Sequence, residues 1–393
     1  MRLRYNAAMN TKTKRGARAL FALCPAAHVL ALLSGAGIAL FFALRKNAAL
    51  MRGLSGSLLH PLHLRLAALT AALPFSLGEL LYALAIAGTF VYILAELVLL
   101  FRKGRRAERL YRLLVRLLAL VLGVYALFCL FWGVYYYGAD FAEQSGVQAR
   151  AVSVEELERV TVYFAARLND YAPCVARDDL GRCRTERAAV LERSPALMRE
   201  VSARYPCLAG PEVRAKPMLF SKFMSLIDFT GFFCPFTAEA NVNADFPPAL
   251  FAATVAHELS HQRGVAREDE ANFVAVLACL ENGDADYAYS ACMLAFIHLG
   301  NALYSVKPAA YRMVYEGLAD TVKADLEENR SYWAQFESPV RAVSTGMYEG
   351  FLQSYEQNLG MRSYGACVDY LVSCYAAEAG AYFAIGQIEQ KGA

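Results

Sequence analysis

The chain has 393 residues, of which 57% are hydrophobic and only 19% are charged. Its formal net charge of +3 is too small to indicate a nucleic-acid-binding surface, so we expect no nucleic acid among its partners. Most of the apolar residues lie in the first third, which excludes an ordinary water-soluble fold for that part of the chain.

Three long apolar runs occupy that first third, at about residues 20–44, 80–101 and 117–137. Each contains roughly 21 to 25 residues with almost no charge, which is enough to cross a hydrocarbon core about 30 Å thick. Buried helices of a soluble core are rarely apolar all round over such a length. We therefore predict a membrane domain over residues 1–138 with three transmembrane helices, and the lipid bilayer as a partner.

Positively charged residues predict the orientation of these helices. Thirteen Lys and Arg side chains lie in the N-terminal leader and the second connection, whereas five lie in the first connection and soon after the third run. Because Lys and Arg accumulate on the cytoplasmic side, we expect a cytoplasmic N-terminus and an extracytoplasmic C-terminal domain. The first run is too long for the core of an ordinary signal peptide, so the chain is predicted to be an uncleaved multi-pass protein of the cell membrane.

The C-terminal domain, residues 139–393, is predicted to be mostly helical with a small sheet. Ser153 and Glu156 form a capping box that opens an amphipathic helix. Phe- and Thr-rich sequence interrupted by Gly and Pro predicts strands at about 218–220 and 232–243. Further helices are predicted at about residues 266–280, 285–305, 309–328, 340–358 and 365–387.

Cysteines and isolated histidines give weaker signals. The ten cysteines contain no CxxC pair, so a cysteine-based zinc site is not expected. The even number in the C-terminal domain permits disulfides on the outer side of a membrane, and Cys174 and Cys183 are placed to close a loop. His60 and His63, in the first connection, are interpreted as surface histidines near the membrane.

The HExxH sequence from His257 to His261 is the strongest chemical signal. It lies on a predicted helix that begins at Pro247-Pro248 and ends at Gly264. On a helix, residues i and i+4 share one face, so the two histidines can bind one Zn²⁺ ion. Glu258 is predicted to be the catalytic general base that acts on a metal-bound water.

A catalytic zinc site needs a third protein ligand, and two Glu-Ala-Asn triplets offer one. Glu239 lies in the predicted strand, and Glu270 lies on the helix after the Gly264 turn. An antiparallel helix pair brings the second triplet back past the histidines, so the predicted metal ligands are His257, His261 and Glu270. Asp269 and Asn272 are candidates for supporting a histidine ring from behind.

Two further parts of the site stay open at this level. The predicted strand at 232–243 is either a partner for an extended substrate backbone or plain core sheet. An oxyanion-stabilising group is also expected, and Tyr348, Tyr364 and Arg341 are available without any signal that selects one of them.

With these residues, the chain resembles zinc metallopeptidases of the gluzincin kind, in which a glutamate on a following helix completes HExxH. The whole layout also resembles an uncharacterised bacterial membrane family, domain of unknown function 3810. The matching segments are residues 74–79, 235–243, 256–264 and 270–273, with 363–365 near the C-terminus. The resemblance implies a mainly α protein: three N-terminal transmembrane helices and an α+β zincin-like domain that depends on zinc. One departure is Asn272, where many gluzincins have Asp.

The leading hypothesis is a membrane-anchored zinc metalloendopeptidase that hydrolyses peptides or proteins outside the cytoplasmic membrane. The alternative is a zinc-binding membrane receptor or scaffold that keeps the fold without catalysis. An intramembrane protease is disfavoured because the metal-binding helix is apolar only over about residues 250–256. The sequence predicts neither the substrate nor the oligomeric state.

Overall fold

The computed structural model describes residues 18–101, 104–355 and 364–392. It is 75% helix and 3% strand, which confirms the predicted mainly helical class. The first helices are α1 (Pro25–Leu44), α2 (Ala48–Arg52), α3 (His60–Thr70), α4 (Leu77–Leu100) and α5 (Arg106–Phe131).

Within the described residues, α1, α4 and α5 are long and apolar enough to cross a membrane, with mean hydropathies of 2.1, 2.2 and 2.5. We refer to them as the three candidate membrane helices. Helix α5 begins well before the predicted residue 117, because its first turns are charged but rich in Leu and Arg, which have high helix propensity. It ends at Phe131 and is followed by a 3₁₀ helix at Gly133–Tyr137.

The connection between the first two candidate membrane helices belongs to the C-terminal unit. The chain forms one compact unit from Met1–Met51 with Glu79–Tyr137, and another from Arg52–Gly78 with Gly138–Ala393. We call Arg52–Gly78 the inserted segment. The prediction of a simple boundary at residue 138 therefore differs from the structure.

Packing explains why the inserted segment joins the C-terminal unit. Ala67 on α3 is buried against Val213 and Ala238, which come from far along the chain. His63 is only 1% exposed, and its ring lies edge-on to Phe233 with centroids 5.8 Å apart. Burial lowers the pKa of His63 to about 4. The prediction of a surface histidine at this position is wrong.

The C-terminal unit continues with helices and short strands. In chain order they are α6 (Phe141–Ser145), α7 (Val154–Tyr171), α8 (Arg187–Arg204), β1 (Lys216–Pro217), α9 (Ser221–Leu226), β2 (Gly231–Cys234), β3 (Glu239–Val242), α10 (Phe251–Gln262), α11 (Glu268–Asn282), α12 (Ala285–Val306), α13 (Pro308–Glu316), α14 (Asp320–Ala334), α15 (Pro339–Ser354) and α16 (Tyr364–Gly392).

Two predicted elements are divided in the structure. The helix predicted at 309–328 is broken between α13 and α14, where the Asn169 side chain donates to Gly317 O and accepts from Ala319 N. The strand predicted at 232–243 is split into β2 and β3 by a turn in which Ala238 N donates to Cys234 O. Pro235 begins this turn because it cannot donate to a sheet ladder.

The described strands form a sheet in the order β1-β3-β2, in which β1 is parallel and β2 antiparallel to β3. Gly231 pairs with Val242, and Cys234 pairs with Glu239. Strand β2 therefore has one edge without a strand partner in the described sheet. Helix α10 packs against both β2 and β3 on one side and against α8, α11 and α12 on the others.

Cys174 and Cys183 both carry free thiols. The loop from Cys174 to Cys183 is not closed by the disulfide that the sequence suggested. It is held instead by Arg177, whose guanidinium donates to Gly181 O at 2.7 Å and to the buried Asp325 carboxylate at 3.0 Å. A buried ion pair with several hydrogen bonds constrains this loop without a covalent link.

Candidate metal centre

Helix α10 carries the HExxH sequence and ends in a tight reversal. Gly264 has a φ of 87°, a left-handed conformation that favours glycine. Its N–H donates to His261 O, and Val265 N donates to Ser260 O. The chain turns back at this point, and α11 begins at Glu268, seven residues after His261.

This reversal brings Glu268 to the two histidines. His257 Nε2 lies 3.2 Å from Glu268 Oε2, and His261 Nε2 lies 3.7 Å from Glu268 Oε1. Among the described residues, these three side chains form a group whose ligand atoms all lie within 4.8 Å of one another. Ligand atoms around one tetrahedral zinc ion are separated by roughly 3.3 Å, so the spacing fits such an ion.

The other nitrogen of each imidazole is held by an oxygen. His257 Nδ1 lies 3.0 Å from Asn272 Oδ1, and His261 Nδ1 lies 2.7 Å from Val265 O. Since both partners are acceptors, each Nδ1 donates, and each Nε2 of a neutral ring presents a lone pair to the Glu268 carboxylate. A positive charge is therefore needed between these atoms, either as a proton on an imidazole Nε2 or as a metal ion. The residues therefore fit a zinc ion, for which two imidazoles and a carboxylate are a common ligand set.

The charges of His261 and Glu268 depend on each other. Burial disfavours the protonated form of His261, but Glu268 and Glu258 outweigh that effect and raise its pKa to about 9. Burial acts to raise the pKa of Glu268, yet the two histidines hold that pKa well below its ordinary value. The Tyr348 hydroxyl donates to Glu268 Oε1 at 2.6 Å. The site is therefore built to hold a negative Glu268 next to positive charge.

Glu258 lies beside this group with an unused carboxylate oxygen. Its side chain is buried, and Oε2 has no hydrogen-bond partner among the described residues. Burial raises the pKa of Glu258 to about 7, although the histidines act to lower it. A carboxylate with that pKa is suited to accept and return a proton near neutral pH.

Space for Glu258 depends on Gly231 in strand β2. A Cβ atom built at Gly231 would lie 2.5 Å from Glu258 Oε1, closer than any real contact. Glycine at this position therefore allows the edge strand and the Glu258 carboxylate to approach each other. The close approach places an extended backbone edge directly beside the proposed base.

The structure does not bring Glu270 to the histidines. Its carboxylate accepts from Phe141 N and Ala142 N at 3.0 Å each, at the start of α6. Successive helical residues rotate by about 100°, so Glu268 and Glu270 point to nearly opposite sides of α11. Glu270 is buried as the sequence suggested, but against α6, and the structure offers Glu268 as the third ligand in its place.

Glu239, the other candidate from the triplets, is also occupied elsewhere. Its carboxylate accepts from Leu77 N at 3.0 Å and Gly78 N at 2.7 Å, in the first turn of α4. Lys216 Nζ donates to the same carboxylate at 2.6 Å. Asp269 does not contact a histidine either, and Arg267 Nε lies 3.9 Å from its carboxylate. Asn272 is the predicted supporting residue that the structure places against an imidazole.

The three candidates for an oxyanion-stabilising group have different surroundings. Tyr348 lies at the site, in contact with Glu268. Arg341 is engaged with Asp228 at 2.9 Å and with Trp333 O, so it holds α15 to the turn before β2. The side chain of Tyr364 lies outside the part of the structure that is described. Tyr348 is therefore the candidate that the structure brings next to the group formed by His257, His261 and Glu268.

A cavity of about 120 Å³ opens beside His257. Its apolar walls come from Phe246, Leu250, Leu294 and Trp333, with Thr230 and Asn329 as polar neighbours. Sequence reasoning missed this cavity because its walls come from α10, α12, α14 and the loops around them. Only the approach of these separate elements creates it.

Comparisons with known proteins match the chain to one family. A family model described as Protein of unknown function (DUF3810) matches residues 57–372, which is well over half of the chain. The match begins inside the inserted segment, so the family includes that part of the C-terminal unit. A search of curated proteins found no match. A search of solved structures found none either.

Proposed function

Because the chain belongs to the family described as Protein of unknown function (DUF3810), whose description names no activity, we propose its function from the site itself. The protein is a membrane-anchored zinc metallopeptidase that hydrolyses peptide bonds. One observation carries this proposal. The Nε2 atoms of His257 and His261 lie close to the Glu268 carboxylate, and the neighbouring Glu258 is buried with no hydrogen-bond partner for Oε2 among the described residues.

Each residue has a defined role in this proposal. His257, His261 and Glu268 hold the zinc ion, which supplies a water of lowered pKa and polarises the scissile carbonyl when bound. Glu258 accepts a proton on Oε2 and returns it to the leaving amine. Asn272 and Val265 fix the two imidazole rings through their Nδ1 atoms.

The surroundings of the site favour an extended peptide as substrate. Strand β2 is the outer strand of the described sheet and lies next to Glu258, and an extended chain can pair with an outer strand through main-chain hydrogen bonds. The cavity beside His257 is lined mainly by apolar side chains and suits one apolar side chain of that peptide.

Packing of the inserted segment supports the proposed topology. The inserted segment follows the first candidate membrane helix, and Gly138–Ala393 follows the third. Both pack into one unit, so both must lie on the same side of a membrane. Two crossings, by α4 and α5, return the chain to that side. Together with the excess of Lys and Arg in the leader and second connection, this supports an extracytoplasmic domain on a multi-pass anchor in the cell membrane.

A second function rests on Asn272. A neutral amide is a weaker acceptor for His257 Nδ1–H than a carboxylate, so it makes the imidazole a less basic ligand. This observation favours a zinc-binding receptor or scaffold without hydrolytic activity. Both functions predict bound zinc, and only the first predicts cleavage.

The test uses the full-length protein purified in lipid nanodiscs. We expect about one zinc ion per chain and cleavage of a peptide library, with zinc retained but cleavage lowered by about 10²-fold or more in Glu258→Gln. Glu268→Gln should lose zinc, whereas the matched variant Glu270→Gln, two residues away on the same helix, should keep it. Stoichiometric zinc without cleavage would favour the scaffold. Zinc lost in Glu270→Gln but kept in Glu268→Gln would overturn the ligand assignment.

A further inference from the structure

The short helix α9 and the residues before it present large apolar side chains to the outside of the C-terminal unit. Leu219 is 83% exposed, Phe220 55%, Phe223 57% and Leu226 46%. Single exposed apolar residues are common, but four large ones within eight residues form a patch that marks an interaction surface. Lys222, also exposed, lies among them.

The opposite face of α9 is firmly attached to the unit. Ser225 Oγ lies 2.6 Å from the Tyr332 hydroxyl and accepts from Asn243 Nδ2 at 2.9 Å. Ser221 Oγ accepts from Ala244 N at 2.9 Å. The exposed apolar side chains therefore stand on a helix that is fixed from behind, rather than on a loop that could fold inward.

The patch begins next to the place where the chain enters a candidate membrane helix. Lys216 Nζ donates to Thr70 O at 2.7 Å and to Phe75 O at 2.9 Å, and Phe75 lies two residues before α4. Leu219 follows Lys216 by three residues, which span at most about 10 Å. Leu69 and Phe75, near the same point of the inserted segment, are 71% and 41% exposed.

We propose that the patch on α9 inserts into the surface of the same lipid bilayer that the candidate membrane helices cross. Leu and Phe side chains exposed together on a short helix and just before it, with a lysine among them, are the composition of an interfacial membrane contact. The lysine faces the anionic headgroups while the apolar side chains enter the acyl boundary. Continuity with the start of α4 identifies the bilayer as the occupant.

This contact sets the position of the proposed active site, an implication that rests on the proposed function. Leu226 precedes Gly231, the β2 residue beside Glu258, by five residues, or at most about 18 Å of chain. With the patch in the bilayer surface, strand β2 therefore starts close to the membrane. The substrates would be extended segments of membrane-attached proteins near the bilayer.

The test replaces Phe223 with the photoreactive residue p-benzoylphenylalanine in the full-length protein. The protein is placed in nanodiscs of phosphatidylethanolamine and phosphatidylglycerol, irradiated and examined by mass spectrometry. Leu180 is the matched control, because it is also apolar and 69% exposed but lies on the Cys174–Cys183 loop. We expect lipid adducts at position 223 and only background at position 180.

Two outcomes would overturn the proposal. One is the absence of lipid adducts at position 223 above the level at position 180. The other is cross-linking of position 223 to another protein, which would make the patch a protein-docking surface. The same measurement on Glu258→Gln should give unchanged adducts, so failure of the peptidase function and failure of the lipid contact are read separately.

Discussion

The two Glu-Ala-Asn triplets have identical sequences in different structures, the first (239–241) in strand β3 and the second (270–272) in helix α11. In both, the glutamate carboxylate accepts from two consecutive backbone N–H groups at the start of a helix. For the first triplet these are Leu77 and Gly78 of α4, and for the second they are Phe141 and Ala142 of α6. A carboxylate is a strong acceptor for the unpaired N–H groups of a helix N-terminus, which explains the common role.

The asparagines of the two triplets have different hydrogen-bond partners. Asn241 donates to Phe232 O and Glu239 O, so it stiffens the sheet beside the site. Asn272 instead accepts from the His257 ring, so it acts on a proposed metal ligand. The asparagine of the Glu-Ala-Asn sequence thus binds backbone carbonyl groups in the first triplet and a histidine side chain in the second. The surrounding fold determines which role it has.

The glutamates also differ in charge balance. Glu239 is paired with Lys216 in a buried contact, where the side chains are 1% and 6% exposed. Within the part of the chain that the structure describes, no cation pairs with Glu270, and burial together with nearby Asp140 raises its pKa to about 7. Removal of the carboxylate should therefore be costly in the first triplet and milder in the second.

Glu239→Ala is expected to have the largest effect. The substitution leaves the Lys216 ammonium buried without its partner, which destabilises a protein by about 3–5 kcal/mol. Thermal unfolding in nanodiscs should show this loss, and zinc bound per folded chain should be unchanged. Adding Lys216→Met to the variant should restore part of the stability. Zinc loss without a change in unfolding would instead indicate that Glu239 is a metal ligand, and it would contradict the structural role given to the first triplet.

Glu270→Ala is expected to have an intermediate effect. It leaves the buried Phe141 N–H and the partly buried Ala142 N–H without this acceptor, at a cost of about 1–3 kcal/mol. Glu270→Gln should cost less, because its amide oxygen still accepts and replaces a carboxyl that burial already makes easy to protonate. Unfolding of the two variants side by side measures the difference. Equal destabilisation by Glu239→Ala and Glu270→Ala would contradict the charge difference between the triplets.

The smallest effect on folding, but a selective effect on zinc, is expected at the asparagines. Asn272→Ala removes the acceptor behind His257 and should weaken zinc binding by about 10–100-fold. Asn241→Ala is the matched control and should leave zinc affinity unchanged. Competition with a chromogenic chelator gives both affinities. If both variants weaken zinc equally, the asparagines do not divide into a sheet-supporting and a ligand-supporting residue.

The sequence was sufficient for features that depend on local spacing. The i,i+4 histidines and the long apolar helices follow from periodicity alone, and the structure has them on the expected elements. The choice between Glu268 and Glu270 depends on how α11 is rotated about its axis. That rotation is set by packing of residues such as Phe273 against Phe141 and Tyr370, which are distant in sequence. A local pattern contains no information on this rotation.

The role of the inserted segment could not be predicted from the sequence either, because it also depends on contacts between residues that are distant along the chain. Residues 74–79 were recognisable as a pattern, but their purpose depends on contacts with residues that are 141 to 162 positions away. A Cβ at Gly78 would lie 2.9 Å from Cys234 Sγ, so this glycine lets the start of α4 approach the sheet. Polar and apolar residues alternate too irregularly in such a short connection to predict which face is buried.

The placement of the inserted segment also dictates an order of assembly. Residues 52–78 are synthesised first, α4 and α5 follow, and the strands that receive the segment come only later. The C-terminal unit can therefore be completed only after two more apolar helices have been synthesised. A fragment beginning at Gly138 would lack two of the acceptors of Lys216 and both N–H partners of Glu239. Under the membrane topology proposed above, insertion of the apolar helices is thus a step in the folding of the site, and the domain matures as part of membrane-protein biogenesis.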